Sequence, residues 1–255
     1  MKKILALALV LALVFSMTAC GSKKADKSAA AEKSTYVVAT NPDFAPFEFI
    51  DEETQQPTGF DMDLIKAIAE DQGFTVEIQQ MGFDAICGAV QNGVVDIGAS
   101  GMSITPERQE TVLFSDPYIE AGLSISVRDD DTTITSAEDL AGKVCAVQIG
   151  TTGAAKAQEL FDAGILKEVK VLDKVDVVYQ ELKTKGADCV INDTPVTKAY
   201  ISNAGGVKIV GDELVADSYG FAVAKDNTAL AEKINKGLAN LKANGKYDEL
   251  IAKYF

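Results

Sequence analysis

The chain has 255 residues, with 24 Lys and Arg against 38 Asp and Glu, a formal net charge of −14 and no histidine. That acidity makes nucleic acid and anionic lipid poor partners. The missing histidine removes the commonest general base and metal ligand, so neither a metal site nor a cofactor is expected.

Met1-Lys2-Lys3, an apolar run from Ile4 to Phe15 and the small-residue stretch Thr18-Ala19-Cys20-Gly21 have the form of an export signal. A helix of that length reaches about 18 Å, short of the ~30 Å bilayer core, so a permanent span is not expected. The Thr-Ala-Cys-Gly ending resembles a bacterial lipobox, in which residues 1–19 are removed and Cys20 is lipidated. Met17 stands where leucine is most usual, and the alternative is an ordinary signal with a chance cysteine. Two or more acyl chains, palmitate among them, anchor stably where one does not. The expected location is therefore the extracytoplasmic face of the cell membrane. Residues 20–34, rich in Lys, Ala and Ser, read as a solvated tether.

Residues 35–255 suffice for one large or two small lobes. Tyr36 to Thr40 reads as a buried strand that breaks at Asn41-Pro42-Asp43, before the aromatic loop Phe44 to Phe49. Gly59 to Gly73 is helical, with Met62, Ile65, Ile68 and Ala69 on one stripe and Asp61, Asp63, Lys66 and Glu70 facing out. Thr75 to Gln79 is a strand, Phe83 to Gln91 a short helix, and Val94 to Ala99 a strand leading into Ser100 to Arg108. There Thr105 is the N-cap and Pro106 the first helical residue. The β-α-β-α-β order predicts an α/β unit with a largely parallel sheet. Ala121 to Val127 reads as a crossover, after which the plan repeats. Strands are expected at Lys143 to Gln148, Val169 to Leu172 and Ala187 to Asn192, with helices through Phe161 and over Val177 to Lys185. Thr194 is expected to cap a helix at Pro195. Val207 to Val210 reads as extended, Tyr219 to Ala224 as a second crossover, and Thr228 to Tyr254 as an amphipathic stretch broken near Asn244-Gly245.

Ligands of open parallel sheets bind beyond the carboxyl ends of the strands. Asn41, Gly101 to Arg108, Gln148 to Thr152 and Asp193 all fall at such ends. Arg108 offers a two-pronged donor for a carboxylate, and Gly150-Thr151-Thr152-Gly153 supplies amides at a helix start. Asp193 can receive an ammonium group, and Phe44 and Phe83 can form apolar walls. Together these fit the carboxylate and ammonium of an amino acid. Each has a plainer alternative: a surface arginine, a turn or cap aspartate, two core phenylalanines. Cys87, Cys145 and Cys189 sit in apolar contexts unlike any metal motif and read as buried small hydrophobes, with a Cys145–Cys189 bridge possible if their strands are neighbours.

Six motifs in combination carry a resemblance: Pro46-Phe47-Glu48-Phe49, Gly59-Phe60-Asp61-Met62-Asp63-Leu64, Gly101 to Arg108, Phe114-Ser115-Asp116-Pro117-Tyr118, Gln148 to Gly153 and Asn192-Asp193-Thr194-Pro195. From Thr35 to Phe255 the chain resembles the extracytoplasmic solute-binding proteins for polar amino acids that feed ABC importers. The resemblance implies a periplasmic-binding-protein-like α/β clamp with two hinge strands, lobe 1 being residues 35–120 and 220–255 and lobe 2 residues 121–219. It assigns Arg108 to the ligand carboxylate, with the Ser103 and Thr152 amides. It gives the ammonium to Asp193, the Gly101 carbonyl and the Ser103 hydroxyl, and sets Phe44 and Phe83 beside the ligand. Asn41 and Gln148 would meet the side chain, and Thr151 belongs to the same turn. The implied partners are a free polar amino acid, an ABC permease and the membrane through the lipid anchor, with the protein itself a monomer.

Many relatives that select cationic amino acids carry aspartate where Asn41 stands. The neutral Asn41–Gln148 pair favours an uncharged polar side chain such as glutamine, with lysine or arginine next if Asp43 or Glu48 turns in. Two other classes fit the sequence less well. An enzyme is disfavoured, because no Gly-x-Ser-x-Gly elbow and no cysteine beside a base is present, although a few relatives act as dehydratases on cyclic acids. A sensory module would be expected to run into a membrane helix and signalling domain, and neither is read here.

Overall fold

The computed structural model describes residues 33–255; the expected export signal, Cys20 and the tether before Lys33 lie outside the described residues. β1 (Thr35–Thr40) is followed by β2 (Asp43–Phe44), β3 (Glu48–Ile50) and β4 (Pro57–Thr58), and the last three form a small antiparallel sheet from the aromatic loop. α1 (Phe60–Gln72) ends on Gly73, whose φ of 73° suits a residue with no Cβ. Its expected stripe of Met62, Ile65, Ile68 and Ala69 is buried. Asp61 departs from the expectation: it is fully buried rather than outward, because its carboxylate accepts from the Gly101 amide at 2.9 Å and the Tyr118 hydroxyl at 2.6 Å.

β5 (Thr75–Gln80) leads through a short 3-10 turn, Phe83–Ala85, into α2 (Ile86–Gln91). The expected strand Val94 to Ala99 shortens to β6 (Ile97–Gly98), and α3 (Pro106–Gln109) precedes β7 (Val112–Phe114). The chain then crosses into a second sheet. β8 (Ile119–Arg128), β9 (Val144–Gln148), α4 (Thr152–Asp162), β10 (Glu168–Leu172), α5 (Val175–Lys183), β11 (Cys189–Asp193), α6 (Thr194–Ala204) and β12 (Val207–Tyr219) follow in order. The return brings β13 (Ala222–Ala224), α7 (Thr228–Ala243) and α8 (Lys246–Tyr254), the last two divided at Asn244-Gly245 as the pattern predicts.

Each lobe is thus a five-stranded mixed sheet flanked by helices. The first has the order β5-β1-β6-β13-β7 and the second β10-β9-β11-β8-β12. β5, β1 and β6 run parallel, as do β10, β9 and β11, which leaves the crossover strands β8, β12 and β13 to pair antiparallel. The expected extended segment Val207 to Val210 is only the beginning of β12. The rest was hidden because an edge strand needs no apolar alternation: Gly211, Asp212 and Glu213 are exposed, and the register shifts between Val210 and Val215.

The first lobe is closed from below by α7 on α1. Gly237 permits that approach, since a Cβ there would lie 2.8 Å from Ile68 Cγ2. Ile65, Ile68, Ile234 and Leu238 are all buried in this core, each side chain contributing about 1.5–3 kcal/mol by leaving water. The two crossings lie side by side. Ser115 N donates to Phe221 O at 2.8 Å, Tyr118 N donates to Tyr219 O at 2.9 Å, and the Tyr118 and Phe221 rings stack with centroids 4.7 Å apart. The Phe114-Ser115-Asp116-Pro117-Tyr118 motif therefore serves the hinge. Among the described residues no helix is long and apolar enough to cross a membrane.

Candidate functional site: the cleft between the lobes

Arg108 sits in the one-turn helix α3. Thr105 caps that helix as the sequence predicts, accepting from Arg108 N at 3.2 Å, with Pro106 in its first turn. The cap holds the backbone and leaves the guanidinium free to reach back. Nη1 donates to the Ser103 carbonyl at 2.9 Å, and the guanidinium carbon lies 5.2 Å from the Phe83 ring centroid. Nη2 crosses to the other lobe and donates to the Gly150 carbonyl at 3.1 Å.

Thr151 is the N-cap of α4, and its hydroxyl is already engaged. It accepts from Ala154 N at 3.0 Å and donates to Gln148 O at 2.8 Å. Thr152, the first residue of that helix, presents an amide with no carbonyl four residues back inside the helix. Its hydroxyl lies 3.5 Å from that of Ser103 across the cleft. A cavity of about 580 Å³ opens beside Arg108, with Phe83 and Met102 from one lobe and Leu123, Thr152 and Val215 from the other.

The opposite end of the cleft is held by amides and acids. Gln148 Nε2 donates to Asn41 Oδ1 at 2.9 Å, to Asp43 Oδ1 at 3.3 Å and to the Asp173 carbonyl at 3.2 Å. Burial pushes the Asp43 carboxyl up to about 6, against the pull of Gln148 and of the Val175 amide at the start of α5. Asn41 N donates to Ser100 Oγ at 3.0 Å, and Ser100 Oγ donates to Glu48 Oε1 at 3.1 Å. Glu48 is fully buried and its Oε2 has no partner among the described residues. Its carboxyl is pushed well above the usual range, first by burial and then by neighbouring Asp61.

Between the two ends lie Asp193, Gly101 and Phe44. Helix α6 begins one residue earlier than expected: Asp193, not Thr194, is the N-cap residue, and it makes no side-chain cap bond. Thr194 instead buries its hydroxyl without a partner among the described residues. The Asp193 carboxylate accepts from the Tyr219 hydroxyl. Burial pushes it up to about 7, while Tyr219 and the charge of Arg108 pull it down. Gly101 has φ 52°, and a Cβ there would lie 2.8 Å from the Phe44 ring, so a bare backbone lets the aromatic wall lie against the loop.

Of the ten predicted residues, Phe83, Arg108, Thr151 and Thr152 line the cavity. Hydrogen bonds tie Gln148 to Asn41 and Ser103 to Arg108 and Thr152, Phe44 lies against Gly101, and Asp193 meets Tyr219. Sequence reasoning missed Tyr219 and Asp61 and placed neither beside the site, because their partners Asp193, Tyr118 and Gly101 lie 26, 57 and 40 residues away. Chemically, the cleft offers a guanidinium and a first-turn amide at one end, a buried carboxyl at its centre, and an acceptor-rich pocket at the other end.

Lobe contact also depends on Gly150, at φ 74°, where a Cβ would lie 2.9 Å from Asp84 Cα of the facing lobe. Gly150→Ala should hold the lobes apart and weaken ligand binding by about tenfold or more, since closing then drives the new methyl group against Asp84. Calorimetry checks this, and an unchanged isotherm would mean that the lobes meet differently.

Comparison with known proteins agrees with this architecture over nearly the whole chain. The arginine-binding extracellular protein ArtP of Bacillus subtilis (strain 168) is 33% identical over 258 residues, covering 100% of this chain and 98% of that protein. A probable histidine-binding protein of Neisseria gonorrhoeae is 34% identical over 262 residues, covering 100% and 96%. A solved structure of an ancestral arginine-binding protein bound to arginine matches with a TM-score of 0.82 at 44% identity, covering 88% of this chain and 99% of that one. The family model for bacterial extracellular solute-binding proteins, family 3, matches residues 36–255, and the chain belongs to that family.

Proposed function

We propose that this chain is the extracytoplasmic capture subunit of an ABC importer, that it closes its two lobes around one polar L-amino acid, and that Cys20 anchors it to the membrane by lipid. Arg108 and the amides of Ser103 and Thr152 take the α-carboxylate. Asp193, the Gly101 carbonyl and the Ser103 hydroxyl take the α-ammonium, and Phe44 and Phe83 flank the ligand. Asn41 and Gln148 meet its side chain. The lobe limits proposed are residues 35–120 with 220–255, and 121–219. Binding favours the closed form because only there do both lobes touch the ligand.

The single observation that carries the side-chain preference is the convergence of Asn41 Oδ1, Asp43 Oδ1 and the Asp173 carbonyl on Gln148 Nε2. Those oxygens suit a planar group with many donors, and guanidinium has five. The preferred ligand is therefore arginine, ahead of the neutral glutamine that the Asn41–Gln148 pair alone favours. The names of the relatives above, arginine-binding and probable histidine-binding, support a basic side chain.

A thermal-shift screen against the twenty amino acids, ornithine, citrulline and cystine tests this, because only a ligand that prefers the native state raises the melting temperature. Arginine should give the largest shift. A shift confined to glutamine would return the neutral reading. No shift with any of them, after unfolding and refolding to remove carried ligand, would overturn the amino-acid clamp.

Two substitutions sharpen the test. Asp43→Asn should weaken arginine binding by about tenfold and glutamine binding by less than about threefold, as removal of a partly buried charge partner requires. Asn41→Asp should tilt preference further towards lysine and arginine, and a competition assay without that tilt would remove Asn41 from the specificity-setting residues.

A further inference from the structure

Cys145 on β9 and Cys189 on β11 are register partners in a parallel ladder. Both are fully buried free thiols in the core of the second lobe, on the face that also carries Val147 and Ile191. Cys87 stands apart, half-buried in the first lobe and lining the cavity beside Arg108. Neighbouring strands lie about 4.8 Å apart, inside the ~4.4–6.8 Å span of Cα atoms that a disulfide bridges. We propose that Cys145 and Cys189 are an oxidation site, closing a disulfide that ties β9 to β11. This inference does not depend on which ligand the cleft takes.

The position of the pair gives the bridge a consequence. β9 ends at Gln148 and β11 at Asp193, so the two cysteines lie one short stretch below the residues that the second lobe presents to the cleft. A bond between them fixes the spacing of the two strands that carry those residues.

The chemistry is a thiol–disulfide exchange with a low-molecular-weight organic disulfide as oxidant. The thiolate of one cysteine attacks a sulfur of that disulfide and expels one thiolate. The second cysteine, having lost its proton, attacks the protein sulfur of the mixed disulfide and expels the other. Two protein thiols are oxidised by two electrons, the organic disulfide is reduced to two thiols, and the protons pass to the departing thiolates. The hydrogen bond with the neighbouring Cys145 thiol, and then burial, push the Cys189 thiol well above its ordinary range, so exchange is slow in the folded protein. The bridge is made as the strands assemble.

The experiment refolds the full chain from denaturant in a buffer dominated by oxidised glutathione, alkylates it without reduction and digests it with trypsin. The expected product is peptide 144–156 linked to peptide 186–198 in most chains, with Cys87 alkylated. The oxidised protein should also melt several degrees higher than the same sample after reduction, because the cross-link restricts the unfolded chain. Recovery of Cys145 and Cys189 both alkylated would overturn the proposal, and so would a link from either of them to Cys87. Cys145→Ser should abolish both the linked peptide and the reductant-sensitive part of the melting temperature.

Discussion

Arg108→Ala lowers affinity for the amino acid by about 100-fold or more, with the melting temperature of the ligand-free protein moved by only a few degrees. The magnitude follows from truncating one partner of a desolvated charge pair, which costs about 2–5 kcal/mol, or roughly 30-fold to several thousand-fold. The fold is spared because the guanidinium is not part of either core. Its contacts are the Ser103 and Gly150 carbonyls and the face of Phe83, and the Thr105 cap that holds α3 uses the backbone of residue 108, which alanine keeps. Arg108→Lys should recover only part of the loss, since a compact ammonium has no planar fork with which to meet a carboxylate and the Ser103 carbonyl together. Calorimetry decides the matter. Wild-type affinity in Arg108→Ala would place the carboxylate elsewhere in the cleft.

What the sequence made legible, and what it hid, divides by the range of the interaction. Thr105-Pro106 announces a capped helix because an N-cap is made within three residues, and the structure has that cap. The alternation of strands and helices in each half fixes a parallel plan, and both sheets keep it in their first three strands. Asp61 shows the limit. Helical periodicity places it on the polar face of α1, yet that face is covered by the loop at Gly101 and by Tyr118 from the hinge. A pattern of period 3.6 reports one buried stripe and cannot report a second surface supplied by distant residues. The same holds for Asp193. Its place at a strand end was readable, whereas the hydroxyl that meets it comes from Tyr219, at the end of an exposed edge strand with no apolar alternation to mark it. Charge at the side-chain end was legible only as an alternative: the sequence offers Asp43 or Glu48 beside the neutral Asn41–Gln148 pair, and the turn through Pro42 brings the Asp43 carboxylate to the same amide nitrogen as Asn41.

Asp193→Asn weakens binding by about 100-fold at about pH 8 and by much less at about pH 5.5, since only the ionised carboxylate differs strongly from the amide towards an ammonium. Burial raises this carboxyl from an ordinary value of 3.8 to about 7. Asp61 is raised to about 7 for the same reason. A carboxyl raised in the native state holds its proton there at pH values where the unfolded chain has lost it. Its contribution to stability is therefore full below about pH 4 and lost as pH rises through about 7. The ligand-free melting temperature should accordingly fall between about pH 5 and about pH 8, with Asp61 and Asp193 both contributing. Affinity should move the other way. An ammonium beside Asp193 favours the carboxylate and expels its proton, so wild-type affinity rises with pH up to about 7 and is level above it, at most tenfold per unit. Asp61 makes its bonds to Gly101 and Tyr118 and contributes to the first effect alone. Asp43, raised to about 6, adds to the slope for a cationic side chain and not for a neutral one. Measuring glutamine alongside arginine therefore isolates Asp193. Calorimetry in two buffers of different ionisation enthalpy counts the proton released, which should approach one per ligand at about pH 5.5 and vanish in Asp193→Asn. A wild-type affinity for glutamine that is flat across this range would remove Asp193 from the ammonium site and leave its contact with Tyr219 as part of the hinge.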